Sequence, residues 1–195
     1  EDGYYLADPE IMDAYVNGNK ALVTEAVGNG TAVTAIYSLA VSSGLHGQAV
    51  SFLDGSDVTV ALFAAGSAQP QYTVTVPAGE KSGGKYTAVY DIPSVAAGTY
   101  TVQVSKKNHV TREYTVTVGG DVKTLNTEIR LLGDVNGDGR VNTMDYTRLL
   151  KHVNETQLLT DAYALKCSDV NKDNRVNTMD YTRLLKHVNE TQPLW

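Results

Sequence analysis

The feature that most constrains this chain is a duplication near its C-terminus. Residues 140–157 read Arg-Val-Asn-Thr-Met-Asp-Tyr-Thr-Arg-Leu-Leu-Lys-His-Val-Asn-Glu-Thr-Gln, and the same letters return as residues 175–192. A segment that repeats within one chain indicates a repeated structural unit. Its apolar residues recur with the period of a helix. The C-terminal third is therefore predicted to contain two equivalent helical units.

An acid-rich loop precedes each copy of the repeat. Both loops follow the EF-hand pattern, with side-chain oxygens at positions 1, 3 and 5, a backbone carbonyl at position 7 and a carboxylate at position 12. Ca²⁺ takes six to eight oxygen ligands, and side chains two residues apart in a tight loop converge on one point. We therefore predict two Ca²⁺ ions. The predicted ligands are Asp134, Asn136, Asp138, the Arg140 carbonyl and Asp145 for the first ion, and Asp169, Asn171, Asp173, the Arg175 carbonyl and Asp180 for the second.

The loops also allow predictions about their geometry. Position 6 must turn sharply, and Gly139 does this freely, whereas Asn174 in the second loop is expected to be slightly strained. Val141 and Val176 at position 8 are expected to form a short β contact between the loops. Neither loop is expected to follow a helix of EF-hand type, so the calcium is interpreted as structural. Since close carboxylates repel, folding is expected to depend on calcium.

Each loop leads into a helix with an apolar and a basic side. Met144, Leu149, Val153, Tyr146 and Leu150 are predicted to form the core stripe. The basic residues point elsewhere, either as a solvated face or as a binding surface. Because the same face appears twice and a module of this size has little room for a catalytic pocket, a protein-binding surface is favoured. Its basic residues are Arg148, Lys151 and His152, and their copies Arg183, Lys186 and His187.

Residues 31–131 have a different pattern, which predicts an all-β domain. β-Branched and aromatic residues alternate with polar ones in residues 57–63, 71–76, 85–90, 98–104 and 112–118, with turn residues between them. Residues 125–132 are interpreted as a last strand. Several short strands at regular spacing indicate a β-sandwich. Residues 1–30 are predicted to be a helix beginning at Asp8-Pro9 or a linker.

Composition excludes several other classes. The net charge is -6 and there is no basic block, which argues against a nucleic-acid partner. The single cysteine, Cys167, allows no disulfide within the chain and is expected to be a buried small apolar residue. No apolar run approaches the ~20 residues of a membrane helix. The first residues lack the pattern of a signal peptide, and without an initiator Met the chain is expected to be a fragment or a processed product.

The loops and helices together resemble a type I dockerin. Dockerins are the modules by which enzymes and adhesion proteins of anaerobic bacteria attach to cohesins on a scaffoldin. The resemblance covers residues 133–195, in a domain predicted to span residues 132–195, and implies the calcium ligands given above. It places the cohesin-recognition pairs at Thr143-Met144 and Thr178-Met179, with further contacts from the basic helix residues. The duplication implies that a cohesin accepts either of two orientations, and residues 193–195 are expected to fold back on Leu131-Leu132.

The β region is similar to the Ig-like or prealbumin-like X modules that precede dockerins in ruminococcal proteins. The fold class is therefore expected to be multidomain: an Ig-like or prealbumin-like sandwich followed by a small all-α dockerin with two calcium-binding loop–helix repeats. The resemblance implies a secreted, extracellular, cellulosome-type protein that is not an enzyme itself. The larger parent protein is expected to act on plant polysaccharide.

One alternative is that the β module itself binds carbohydrate. Exposed aromatic residues such as Tyr4, Tyr5, Tyr72 or Tyr86 would stack on sugars. The competing interpretation is that alternating tyrosines are half-buried strand residues, which is the more common case. Catalysis within this chain lacks a recognisable nucleophile or acid–base pair.

Overall fold

The computed structural model describes the backbone of residues 14–16, 19–23 and 37–38, and all of residues 43–195. The chain divides into two compact units, residues 1–42 and residues 43–195. In the first unit, strands β1 (Ala14–Val16), β2 (Asn19–Val23) and β3 (Tyr37–Ser38) form an antiparallel sheet in that order. The predicted helix start at Asp8-Pro9 lies outside the described residues. Ala14 and Tyr15, which the sequence placed in that helix, lie in β1 instead.

The second unit begins with a sandwich of two β-sheets, as the sequence predicts. One sheet contains β5 (Val58–Ala64), β6 (Tyr72–Val76), β9 (Gly98–Lys106) and β10 (Arg112–Val118) in the order β10-β9-β5-β6. The other contains β4 (Gly44–Ser51), β7 (Lys81–Ser82) and β8 (Lys85–Pro93), together with β11 (Val122–Thr124) and β12 (Thr127–Glu128).

The alternation of side chains explains why these segments are strands. In β5 and β9, every second residue is buried, and the register pairs Val60 with Val104 and Leu62 with Val102 across the central strands. The polar residues between them face solvent, where Thr59 and Thr75 share a hydrogen bond of 3.0 Å between their hydroxyls. Buried valines, leucines and tyrosines from both sheets form one core.

Two expectations about the strands are corrected. Strand β4 lies at the centre of its sheet but was not predicted, because its buried positions include the small residues Gly47 and Ala49. A Cβ on Gly47 would lie 1.9 Å from the Leu125 carbonyl oxygen, so only glycine lets the chain pass so closely. The single strand predicted for residues 125–132 is wrong: the chain forms the short strands β11 and β12 parallel to β4, then one isolated bridge at Leu131.

The C-terminal region is helical. Helices α1 (Thr143–Val153) and α3 (Thr178–Val188) are the two copies of the repeat, and they pack together around Leu149 and Leu184. A third helix, α2 (Ala162–Ser168), was not predicted. It is short, starts at the N-cap residue Asp161 and ends at Asp169, the first position of the second loop. The expectation that neither loop follows a helix is therefore wrong for the second loop.

Contacts join the sandwich to the helical region within this unit. The Tyr163 hydroxyl on α2 donates to the Val110 carbonyl at 2.6 Å and accepts a hydrogen bond from the Arg130 amide at 3.0 Å. Lys166 on α2 forms an ion pair with Glu113 on β10 at 3.2 Å. The sandwich and the helices are therefore tied to each other by α2.

Candidate functional site

The first acidic loop brings its three carboxylates together. Ligand oxygens of Asp134, Asp138 and Asp145 all lie within 4.8 Å of one another. Asp134 lies inside the turn of the loop, where one oxygen accepts hydrogen bonds from the amides of Gly137 at 2.7 Å and Asp138 at 3.1 Å, and the other accepts from the Gly139 amide at 3.0 Å. Backbone amides thus hold this carboxylate at the centre of the loop.

Asp145 connects the loop to α1. One oxygen accepts from the Asn136 amide at 3.0 Å, and the other accepts from the Asn142 amide at 2.9 Å. Asn142 is the N-cap of α1 and accepts in turn from the Met144 amide at 2.7 Å, which completes a capping box. The same carboxylate therefore fixes the start of the helix and closes the ligand cluster, as position 12 of the loop requires.

The second loop repeats this arrangement. Oxygens of Asp169, Asp173 and Asp180 lie within 4.8 Å of one another, and Asp180 accepts from the amides of Asn171 at 3.2 Å and Asn177 at 3.0 Å. Asn174 adopts a φ of 64°, the left-handed conformation that position 6 was expected to require.

The remaining predicted ligand residues lie inside the same turns. The Asn136 side chain accepts from the Asp138 amide at 2.8 Å, and the amide of Arg140 donates to Asp138 at 2.9 Å. Asn171 and Arg175 make the corresponding bonds to Asp173, at 3.0 Å and 2.9 Å. The short β contact expected between Val141 and Val176 does not form within residues 43–195, where both side chains pack on the helical core instead.

The electrostatics of the first loop suit a divalent cation. Asp134 and Asp145 are fully buried. Burial, followed by the charges of Asp145 and Asp138, raises the pKa of Asp134 to about 6, and burial also raises the pKa of Asp145. Hard oxygen donors held close together are the ligands that Ca²⁺ prefers. The donor set therefore fits calcium in both loops.

Two equivalent grooves lie along the outer sides of α1 and α3. Met144 and Met179 are 65% and 64% exposed in them, so the prediction that Met144 belongs to the core stripe is wrong. Thr147 and Gln157, with their copies Thr182 and Gln192, also line the grooves and were not singled out, although they belong to the repeated segment. The first groove is lined by Thr143, Met144, Thr147, Arg148, Lys151 and Gln157, and the second by Thr178, Met179, Thr182, Arg183, Lys186 and Gln192.

A pair of tyrosines marks a two-fold relation between the grooves. Tyr146 on α1 and Tyr181 on α3 are equivalent residues of the repeat, and their rings stack with centroids 4.8 Å apart. Their hydroxyls also share a hydrogen bond. Equivalent residues contact each other in this way only near the axis that exchanges them. Rotation about this axis therefore exchanges α1 with α3 and one groove with the other.

The sequence matches a known family at this part of the chain. Residues 132–189 match the family model described as the dockerin type I domain. This segment is similar to type I dockerin domains and is called the dockerin below. No curated protein matches the chain.

Two solved structures are also similar to this chain. Both are mutants of a type II cohesin–X–dockerin complex from Acetivibrio cellulolyticus, one altered at an N-terminal interface and one at a C-terminal interface. The identity is 24% in each case. The match covers 74% of this chain and 94% of the other, with TM-scores of 0.31 and 0.32.

The histidines of the dockerin are placed differently from the other predicted binding residues. His152 and His187 do not line the grooves. The Nδ1 atom of His152 accepts from the Leu159 amide at 3.2 Å, and that of His187 accepts from the Leu194 amide at 3.3 Å. Burial also lowers the pKa of His187. Both histidines thus hold the chain that follows their helix.

The end of the dockerin folds back onto its beginning. Leu194 packs into the helical core, and its Cδ1 atom lies 2.9 Å from the position that a Cβ on Gly133 would occupy. Trp195 lies against His187, with ring centroids 4.9 Å apart. The C-terminal residues therefore fold back as expected, but Leu194 contacts Gly133, the residue that follows the predicted Leu131-Leu132 pair.

Tyrosines proposed for sugar stacking are half-buried where the structure describes them. Tyr72 packs on the sandwich core in a T-shaped contact with Tyr100, and its hydroxyl accepts from the Ala96 amide at 3.0 Å. Tyr86 lies next to Lys81 and Lys106. Tyr4 and Tyr5 lie outside the described residues.

Membrane-spanning helices are a separate question. Among the residues that the structure describes, no helix has the length and apolar character needed to cross a membrane.

Proposed function

We propose that this chain attaches a larger protein to an extracellular, cohesin-bearing assembly of the cellulosome type. The dockerin domain makes the attachment, and the sandwich before it serves as an X module that supports the dockerin. The chain itself has a binding role, and the polysaccharide-degrading activity belongs to the parent protein. The observation that carries the proposal is the pair of equivalent grooves on a domain of the dockerin family.

Calcium has a structural role in this proposal. One Ca²⁺ binds in each loop, through the predicted side chains and the carbonyls of Arg140 and Arg175. The positive ions neutralise carboxylates that would otherwise repel one another at the N-terminal ends of α1 and α3. Because Asp145 and Asp180 belong both to the ligand clusters and to the capping boxes, calcium fixes the direction of each helix. The grooves have their binding shape only when both loops are filled.

The partner surface is used in either of two orientations. A cohesin that contacts Thr143, Met144, Arg148 and Lys151 meets the same side chains in the second groove after rotation about the Tyr146–Tyr181 axis. The exposed methionines provide apolar contact, and the neighbouring arginine and lysine provide positive charge. A cohesin with an apolar patch bordered by acidic residues suits this surface.

The partner class is tested by calorimetric titration of the full chain with a panel of type I and type II cohesins. Each cohesin is titrated in excess CaCl₂ and in excess chelator. At least one cohesin is expected to bind in calcium, and none in chelator. Failure of every cohesin to bind in calcium, or equal binding in chelator, would contradict the proposal.

The two orientations are tested with Met144→Glu and Met179→Glu, singly and together. An acid is tolerated in the first turn of a helix, so neither change is expected to unfold α1 or α3. If either groove suffices, loss of one raises the Kd only about twofold, since half of the binding modes remain. The double variant is expected to raise it at least tenfold, as loss of a central contact does. Val89→Glu, on the exposed face of β8, is the matched control. A single variant as weak as the double one would exclude two equivalent modes.

A further inference from the structure

The two calcium loops differ at only two of their positions, and the structure gives a reason for both differences. Position 4 is Gly137 in the first loop and Lys172 in the second, and position 6 is Gly139 in the first and Asn174 in the second. All four residues have a positive φ, of 80°, 60°, 81° and 64° respectively. Since Lys172 and Asn174 adopt the same backbone conformation, the conformation alone does not require glycine in the first loop.

Space is what requires glycine in the first loop. A Cβ on Gly139 would lie 2.2 Å from the Cδ1 and Cε1 atoms of Phe52, which belongs to the sandwich. A Cβ on Gly137 would lie 2.8 Å from Nε of Arg130 and 2.9 Å from its Cζ. Non-bonded atoms at these separations overlap, so larger residues at either position would force the neighbouring group away. The two glycines therefore mark the places where other parts of the chain press on the first loop.

Phe52 is held where it contacts the loop. Its amide donates to Nε2 of His109 at 3.0 Å, and its carbonyl accepts from Nζ of Lys106 at 3.2 Å. The Lys106 side chain is fully buried and also donates to the Ser51 hydroxyl at 3.0 Å. Nδ1 of His109 lies 2.7 Å from the Lys107 carbonyl, so it donates there and leaves Nε2 free to accept. These bonds hold the backbone from which the Phe52 ring projects onto the loop.

Arg130 is held in a similar way. Its guanidinium forms an ion pair with Asp161 at 3.0 Å and lies 5.5 Å from the ring centroid of Tyr163. Both groups that press on the first loop are thus fixed by their own partners, one in the sandwich and one at the start of α2.

We propose that Phe52 is a positioning residue of the first calcium site, so that the sandwich sets the calcium affinity of this site and not that of the second. The inference rests on the proposed function, in which each loop binds one ion. The Phe52 ring covers Gly139, whose amide donates to Asp134 at 3.0 Å. Fixing this amide orients the ligand, and the ring excludes water from it. Asp134 is accordingly fully buried, whereas its counterpart Asp169 is partly exposed.

The coupling is reciprocal. If the docked sandwich strengthens calcium binding in the first loop, then calcium in that loop strengthens docking of the sandwich by the same factor. Asn174, the equivalent residue of the second loop, is exposed, so no ring covers it as Phe52 covers Gly139. The duplicated dockerin is therefore symmetric in its grooves and asymmetric in how its loops depend on the sandwich.

The test is a calcium titration of the full chain followed by the amide resonances of Gly139 and Asn174, which report the two loops separately. Phe52→Ala is expected to weaken binding in the first loop by about tenfold or more, as loss of a group that orients a ligand does, and to leave the second unchanged. Gly139→Asn perturbs the same contact from the dockerin side without altering the sandwich core, and is expected to have the same effect. Asn174→Gly is the matched control and is expected to leave the first loop unchanged.

Combining the changes tests the contact itself. Phe52→Ala removes the ring that the new side chain of Gly139→Asn would displace. In the double variant, the loss of calcium-binding free energy in the first loop is therefore expected to be smaller than the sum of the losses in the two single variants. Equal affinities in wild type and both single variants, or equal weakening of both loops, would overturn the inference while leaving calcium binding intact. A wild-type chain in which calcium shifts neither resonance would overturn the proposed function as well.

Discussion

A single hydroxyl group at the junction of sandwich and dockerin offers a quantitative test of their coupling. Tyr163→Phe keeps the ring and the nearby arginines but removes the hydroxyl that joins the Val110 carbonyl to the Arg130 amide. Each lost hydrogen bond costs about 1 kcal/mol, and leaving a part-buried partner unsatisfied adds to this. The expected loss in the free energy of unfolding is therefore about 2–3 kcal/mol.

Urea unfolding of the full chain in saturating CaCl₂, followed by circular dichroism, measures this loss. With a denaturant slope of about 2 kcal/mol per molar, the midpoint is expected to fall by about 1 M. Tyr72→Phe is the matched control, because its hydroxyl accepts one exposed hydrogen bond from Ala96 and its loss should cost less than about 1 kcal/mol.

Two results would refute this reasoning. One is a midpoint shift for Tyr163→Phe that is no larger than the shift for Tyr72→Phe. The other is a wild-type chain whose strands and helices unfold in two separate transitions, neither of which responds to Tyr163→Phe. Either result would mean that the junction contacts add no stability to the two parts.

Buried groups of the dockerin give three more expected outcomes. Cys167 is fully buried, and burial raises the pKa of its thiol to about 12. A thiol reagent should therefore react with the unfolded chain and not with the calcium-loaded one, and fast reaction of the folded chain would contradict this. The pKa of Asp134 is raised to about 6, so the folded calcium-free chain binds more protons than the unfolded one between pH 3.8 and about 6. Its stability should therefore fall as the pH rises through that range, and calcium affinity should fall below about pH 6, as pH-dependent melting and calorimetry would show. Leu149→Ala and Leu184→Ala should each cost about 2–5 kcal/mol in chemical denaturation, with similar values because both leucines are fully buried at equivalent positions; a harmless change at either would contradict the shared core.

The sequence predicted much of the fold because its patterns are local. Alternating residues in β5, β9 and β10 act over a few positions, so these strands could be placed closely. Position 12 of each loop indicated where the helix begins. These signals depend on the chain's own backbone geometry and require no knowledge of distant contacts.

The missed elements depend on distant contacts. Strand β4 buries small residues because Leu125 crosses over Gly47, and that crossing cannot be inferred from the residues around β4. Helix α2 is too short for a helical period to be clear, and its Tyr163 is fixed by Val110 in the sandwich. A capping signal at Asp161 was available in the sequence and would have indicated its start.

The candidate site, like the fold, could be predicted from the sequence only in part. The carboxylate clusters follow from loop spacing, so their grouping could be predicted. The exposed position of Met144 could not, because helical periodicity alone allows it on either side of α1. The role of His152 also depends on a bond to Leu159, several residues after the helix, which periodicity does not indicate.

Binding of one partner in two orientations can be read directly as a pair of distances. Val89 is exposed on the sandwich, and Val89→Cys provides a site for a spin label, since the native thiol at Cys167 is buried. Pulsed electron–electron double resonance measures the distance from this label to a second label on a bound cohesin. It should give two distance populations in the otherwise wild-type chain. Met144→Glu should remove one population, and Met179→Glu should remove the other. A single population that is the same in all three proteins would contradict the two-orientation proposal.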